Sequence, residues 1–386
     1  MGYGHLRPAA ALAGFLGVEV QQIDRPPLGD QIDFNFWERT RKVYEPLTRL
    51  SQIPFVGPAL QGILHAVTDI PFPWPERDLS GPTQGTKWME RAAEEGVGRA
   101  LARKLTAGTP LLTTFYAGAI LAELHGAKNL HCLVTDAEIN RVWAPPRPRE
   151  SGIVYFAPSE RAARRLRSYG VSPGNIKRTG YPLPDELVGR DRAALDRNYQ
   201  ARLRRLRGEG EPPLVVFAIG GAGAQVPVAR QLVPGMKRQI EAGRLRLALV
   251  AGRRPEVAKA LNEAVRDAGL EGRAVEVLEA ADVFEYIRKF NALLARADVL
   301  WTKPSELTFF AGLGLPLVAA TPVGVHEEWN LRWAADRGAA LPEHDPRFAG
   351  EWLLEWLEDG VLAGAAKAGY ERLPQMGLYE IADVFR

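Results

Sequence analysis

The segment that decides the fold runs from Leu214 to Arg230, LVVFAIGGAGAQVPVAR. Its first six residues form an unbroken apolar run, the pattern of a strand buried on both faces of a parallel sheet. Gly220, Gly221 and Gly223 then permit a tight turn, and a helical pattern follows at once. Strand, glycine turn and helix make half of a βαβ unit. Such a turn offers backbone N–H groups and the positive end of a helix dipole to an anion. A tight turn without a ligand uses the same glycines, so the segment speaks more firmly for fold than for function.

Outward from it, the same alternation repeats. Downstream come strand RLALVAG (246–252), helix RPEVAKALNEAVRDAG (254–269), strand AVEVLE (274–279), a helix, strand DVLWT (298–302), a helix and strand LPLVAAT (315–321). Upstream, LLTTFYAGAILAELHGA (111–127) reads as a strand feeding a helix, and LHCLVTD (130–136) and IVYFAPS (153–159) read as buried strands. The helix SERAARRLRSYG (159–170) has Ser159 as its N-cap and Gly170 as its stop. Two series of alternating strands and helices predict two doubly wound α/β domains. The boundaries are placed at 1–188 for an N-terminal acceptor domain, 189–212 for a linker carrying a basic helix, 213–365 for a C-terminal nucleotide-sugar domain, and 366–386 for a terminal helix packing back on the first domain. Residues 30–82 are aromatic, proline-rich and irregular.

The chain opens MGYGHLRPAAALAGFLGVEVQQID (1–24). Gly2 to His5 read as a glycine loop entering an apolar helix, and Val18 to Ile23 as a strand. The strand that should feed the loop is missing. In a doubly wound sheet that strand is central, and its loss leaves unpaired backbone groups on both neighbours. The expectation is that Met1 is internal to a longer reading frame, and that the first-strand position is open or filled by a borrowed segment.

Composition limits the function classes. The chain has 386 residues, 46% of them apolar and 25% charged, and a net charge of +3. This is no nucleic-acid footprint. The single cysteine, Cys132, cannot form an intramolecular disulfide, which fits a reducing compartment. Neither a signal peptide nor an apolar run of roughly 18–20 residues is present. A cytoplasmic protein, at most peripheral to the inner face of a membrane, is expected.

Ligands of open α/β sheets bind beyond the carboxyl ends of the strands. In VLWTKPSELTFFAGLGLPLVAAT (299–321), Lys303 follows a strand, Pro304 fixes a turn and Ser305 stands before Glu306 as a helix cap. A cation, a hydroxyl and free N–H groups suit a pyrophosphate, and Glu306 suits ribose hydroxyls. The next junction, TPVGVHEEWNLRWAADRG (321–338), carries His326, Glu327, Glu328 and Asn330. These are either sugar-binding groups or a first helical turn whose acids complement the dipole. In the first half, His5 with Gly4 stands at the opening loop, and DAEINR (136–141) supplies Asp136, Glu138 and Arg141 after a buried strand. A histidine there can serve as general base toward an alcohol. No ligand cluster for a metal is read.

Together, GYGHLRPA (2–9), VTDAEINRVWAP (134–145), YGVSPGNIKRTGYPL (169–183), IGGAGA (219–224) and the 302–341 region resemble the GT-B glycosyltransferases of family 28. That family includes the N-acetylglucosaminyltransferase acting on the peptidoglycan lipid precursor and the diacylglycerol glycosyltransferases. The resemblance implies two Rossmann-like domains facing across a cleft. It also implies an inverting transfer from a nucleoside-diphosphate sugar, UDP-linked by preference, to a hydroxyl acceptor, with lipids among the candidates. His5 takes the position of the base. Gly4, Asp136, Glu138 and Arg141 fall on the acceptor side. Gly220, Gly221, Gly223, Lys303, Ser305, Glu306, His326, Glu327, Glu328 and Asn330 fall on the donor side. The nucleotide sugar is substrate, and neither a separate cofactor nor a metal is implied. The chain departs from the family where a ribose-binding glutamate usually follows the donor-motif threonine by one turn. Here Thr308 precedes Phe309, Phe310 and Ala311, leaving Glu306 or Glu327 as substitutes. Nucleotide-sugar 2-epimerases and non-catalytic sugar-nucleotide binders share the fold and remain alternatives. Phe36, Trp37, Phe55, Phe72 and Trp74, with the basic helix at 190–207, suit either contact with an anionic membrane or packing beneath an insertion.

Overall fold

The computed structural model describes residues 2–50, 69–105, 108–220, 223, 225–322 and 324–386. The chain divides into two units. The N-terminal unit comprises Leu12–Tyr181, Val323–His326 and Glu380–Arg386; the C-terminal unit comprises Met1–Ala11, Pro182–Pro322 and Glu327–Tyr379.

In the N-terminal unit, strands β1 (Leu111–Thr113), β2 (Leu130–Leu133), β3 (Val154–Ala157) and β4 (Ile176–Arg178) form a parallel sheet in the order β1-β2-β3-β4. Every residue of β2 is buried, whereas β4 ends in exposed Lys177 and Arg178, as befits an edge. Helices Tyr116–Leu124 and Glu160–Ser168 connect successive strands. The second is capped as its sequence predicts, with Ser159 Oγ accepting from Ala162 N–H at 3.0 Å.

Val18–Ile23 forms no strand, correcting the expectation, and Val18 is 60% exposed. Among the described residues no strand pairs with the outer edge of β1, so this segment has no ladder to join. Part of the region expected to be irregular is a helix, Gln31–Leu50. Asp33 at its start, buried, accepts from Gly98 N–H at 2.8 Å. Phe36 stacks on Trp88 at 4.9 Å and Trp37 meets Phe115 edge-on at 5.8 Å, so these two aromatics pack inward. Phe72 and Trp74 are 54% and 67% exposed. Phe55 lies outside the described residues. The terminal segment contributes Phe385, whose ring lies 4.8 Å from His131 and 6.1 Å from Phe156.

In the C-terminal unit, strands β5 (Leu214–Ala218), β6 (Arg246–Gly252), β7 (Val275–Glu279), β8 (Val299–Thr302), β9 (Leu317–Ala319) and β10 (Ala340–Pro342) form a six-stranded parallel sheet in the order β10-β9-β8-β5-β6-β7. β5, β8 and β9 are buried throughout, the burial their apolar runs demand. The helix Ala193–Leu206, in the stretch expected as a linker, lies in this unit. Its Arg202, 1% exposed, donates to the carbonyls of Ala297 (2.6 Å), Leu313 (2.7 Å), Gly314 (3.3 Å) and Leu294 (3.2 Å). Burial lowers its pKa to about 10, which still leaves it charged at neutral pH. One turn earlier Tyr199 stacks flat on Tyr370, with centroids 3.9 Å apart. Gly314, at φ +66°, is required there because a Cβ would strike the Tyr199 ring. Among the described residues, no helix is long and apolar enough to cross a membrane.

Candidate functional site

The strand order reverses at β5: β6 continues on one side, while β8 returns on the other. In such sheets ligands bind beyond the carboxyl ends of the strands that flank the switch point, here β5 and β8. The residues after those strands are Gly220 and Lys303. They meet closely. A Cβ on Gly220 would stand 2.9 Å from Lys303 Cε and 3.9 Å from Gln225 Oε1, so the lysine stem and the Gln225 carboxamide flank one backbone position. Gly220 N–H donates to Gln225 Oε1 at 3.1 Å, and Gln225 precedes the helix Val226–Glu241. Gly223 takes φ +73° and its N–H bonds Gly220 O at 2.9 Å, closing the turn. Gly221 lies outside the described residues.

The helix Val325–Ala335 braces the β8 turn from the other side. Lys303 Nζ donates to Glu327 Oε1 at 2.5 Å, and the Glu327 carboxylate is 3% exposed. Asn330, fully buried, donates to Pro304 O at 3.3 Å. Ser305 caps no α-helix: the segment Glu306–Leu313 is a 3-10 helix, and the Ser305 side chain makes no capping bond. Its run LTFFAGL is wholly buried.

The N-terminal segment joins this same unit. Helix Tyr3–Leu16 begins inside the expected glycine loop, so Gly4 and His5 occupy its first turn, with His5 N–H on Gly2 O at 3.2 Å. A Cβ on Gly4 would lie 3.2 Å from Glu306 Oε2. Arg7, 1% exposed, reaches Glu306 Oε1 at 3.5 Å and donates to Tyr286 OH at 3.1 Å. Its guanidinium lies over the Phe290 ring at 4.7 Å. Burial raises the Tyr286 hydroxyl pKa, keeping it protonated beside this cation. The Tyr3 ring lies 4.6 Å from that of Tyr286, tilted by 36°, and its hydroxyl would lie 3.2 Å from a Cβ on Gly252, the last residue of β6.

The structure therefore gathers Gly4, His5, Gly220, Gly223, Lys303, Ser305, Glu306, Glu327, Glu328 and Asn330 in one unit. Four of the expected residues lie in the other. Asp136, Glu138 and Arg141 belong to the N-terminal unit, and two of them are occupied structurally. Glu138 takes Arg165 on both oxygens, at 2.8 and 3.3 Å, and burial holds its carboxyl above the ordinary value against the pull of Arg165. Arg141 donates to the carbonyls of Ser80, Gly81, Ala144 and Pro145, so it clamps a loop instead of facing an acceptor. His326 and Glu328 are exposed, and His326 falls in the N-terminal unit. Arg7, Tyr286 and Gln225 are the residues that sequence reasoning missed. Arg7 stood in the quoted motif beside His5, and Gln225 closed the glycine run. Among the described residues, no group of three or more His, Cys, Asp or Glu side chains is placed to hold a metal ion.

Two parallel α/β units, with the switch point of the second lined by a glycine turn and a lysine, match the GT-B fold. A family model described as a domain of unknown function, DUF6938, matches residues 171–271 and 263–347. Among curated proteins, the chain is 21% identical over 212 residues to the processive diacylglycerol beta-glucosyltransferase of Bacillus subtilis (strain 168), covering 54% of this chain. It spans about half that relative's length, 49%. Among solved structures it is similar to MurG of Acinetobacter baumannii (TM-score 0.55, 16% identity, 99% of this chain and 95% of that one). It is also similar to S. aureus MnaA solved with UDP (TM-score 0.53, 11% identity, 79% and 81%). A third is the putative UDP-N-acetylglucosamine 2-epimerase of Listeria monocytogenes (TM-score 0.50, 14% identity, 76% and 76%). At these identities the structural likenesses establish the fold, and it is the GT-B fold expected from the sequence.

Proposed function

We propose that this chain is an inverting glycosyltransferase that takes a sugar from UDP or a related nucleoside diphosphate and passes it to a hydroxyl acceptor. The observation that carries the reading is the convergence of Gly220, Lys303 and Glu327 at the β5/β8 switch point, with Glu306 following Lys303 on the same turn. The diphosphate lies against the Gly220 turn and the start of Val226–Glu241, with Lys303 as its cation. Glu306 or Glu327 receives hydroxyls of the ribose or the sugar. His5, one residue from the Gly4–Glu306 contact, removes the proton of the attacking alcohol as the anomeric C–O bond to the diphosphate breaks. The similarity to a transferase named for diacylglycerol supports a lipid acceptor, and exposed Phe72 and Trp74 supply an apolar face for meeting it at an anionic membrane.

The test is incubation with labelled UDP-sugars and a panel of alcohols, diacylglycerol in anionic vesicles included. A glycoside of inverted anomeric configuration supports the reading. Likeness to the Listeria epimerase favours one alternative, whose signature is an epimerised sugar nucleotide formed without any acceptor. Nucleotide binding with neither product identifies a non-catalytic binder.

A further inference from the structure

Gln225 is 8% exposed, and its carboxamide divides in two. Oε1 accepts the Gly220 N–H at 3.1 Å, which fixes the amide orientation, while Nε2 is enclosed without a hydrogen-bond partner. Both observations concern the same place. The Gly220 N–H is a donor that an anion at this turn needs, and Oε1 now fills it. The orphaned Nε2 is a buried donor lacking an acceptor, costly to leave unpaired. The Lys303 stem stands beside the same Gly220 position. We infer that Gln225 is a displaceable stand-in for a phosphate oxygen. An arriving anion takes the Gly220 N–H, frees the carboxamide to turn, and accepts from Nε2 in its new position. The chemical class is a phosphate or diphosphate group, and its assignment to a nucleoside diphosphate rests on the function proposed above.

Gln225→Glu separates this role from that of a brace, because it keeps an oxygen for the Gly220 N–H and replaces the amide donor with a repelling charge. Calorimetry is run on the full chain with inorganic pyrophosphate, UDP and uridine. The expected result is a loss of at least about tenfold in pyrophosphate and UDP affinity, with uridine affinity unchanged. With selective 15N-glutamine labelling, the Gln225 side-chain NH2 signals of the wild-type chain should shift on adding pyrophosphate. Equal UDP affinity in Gln225→Glu, or NH2 signals unmoved at saturating pyrophosphate, overturns the role of Gln225 while nucleotide binding stands. Wild-type chain that binds pyrophosphate but not UDP removes the nucleotide reading alone. Binding of neither removes both.

Discussion

Arg7 and Glu306, 299 positions apart in sequence, form a buried contact, with Arg7 Nε 3.5 Å from Glu306 Oε1 and side-chain exposures of 1% and 7%. The contact ties the chain's first helix to the turn after β8, so the expected base His5 shares a unit with Lys303, Glu306 and Glu327. Removing one partner leaves the other charge enclosed, at a cost of roughly 3–5 kcal/mol. Arg7→Met and Glu306→Leu should each lower the urea midpoint markedly, and the double variant should recover much of the loss. Simply additive losses contradict the pairing.

Arg202 closes four carbonyls that no lysine can reach together. Arg202→Lys should cost roughly 2–4 kcal/mol in chemical denaturation, since buried acceptors lose their donors. A midpoint equal to that of the wild type refutes the clamp.

Glu327 draws on the charge that Lys303 offers to an anion. Glu327→Gln should raise affinity for inorganic pyrophosphate, which has no hydroxyl for Glu327 to hold, by about threefold or more while lowering transfer of the sugar. Calorimetry with pyrophosphate and product formation, measured on the same sample, check both halves. Weaker pyrophosphate binding contradicts the arrangement.

His131 sits on β2 against Phe156 and Phe385, and burial first, then Lys177, lowers its pKa from 6.5. The folded chain therefore favours the neutral ring. Above about 6.5 both states are neutral and the contribution is complete; as pH falls, the unfolded chain takes up the proton first. Stability should decline from pH 7 toward pH 5, and less so in His131→Phe. Parallel Tm profiles for the two proteins contradict it.

Much of the fold was legible because β2, β5, β8 and β9 lie wholly inside their sheets, where strands read as near-continuous apolar runs, broken here by His131 of β2 and Thr302 of β8. Ser159 was legible as a cap because its partner is three residues away. What depended on distant partners was not. Glu138 and Arg141 resemble site residues until Arg165 and the carbonyls of residues 80, 81, 144 and 145 are seen around them. Val18–Ile23 has strand composition but no ladder among the described residues. Neither the 3-10 form nor the complete burial of Glu306–Leu313 is announced by its sequence alone.

The most direct test of the central claim is a calorimetric titration of UDP into the wild-type chain and into Lys303→Ala. The account predicts saturable one-site binding to the wild type, weakened by roughly 1–3 kcal/mol in the variant, the scale of a lost charge-assisted contact. Identical affinity in the two proteins, or no binding of UDP to the wild-type chain, contradicts a donor site at the β5/β8 switch point.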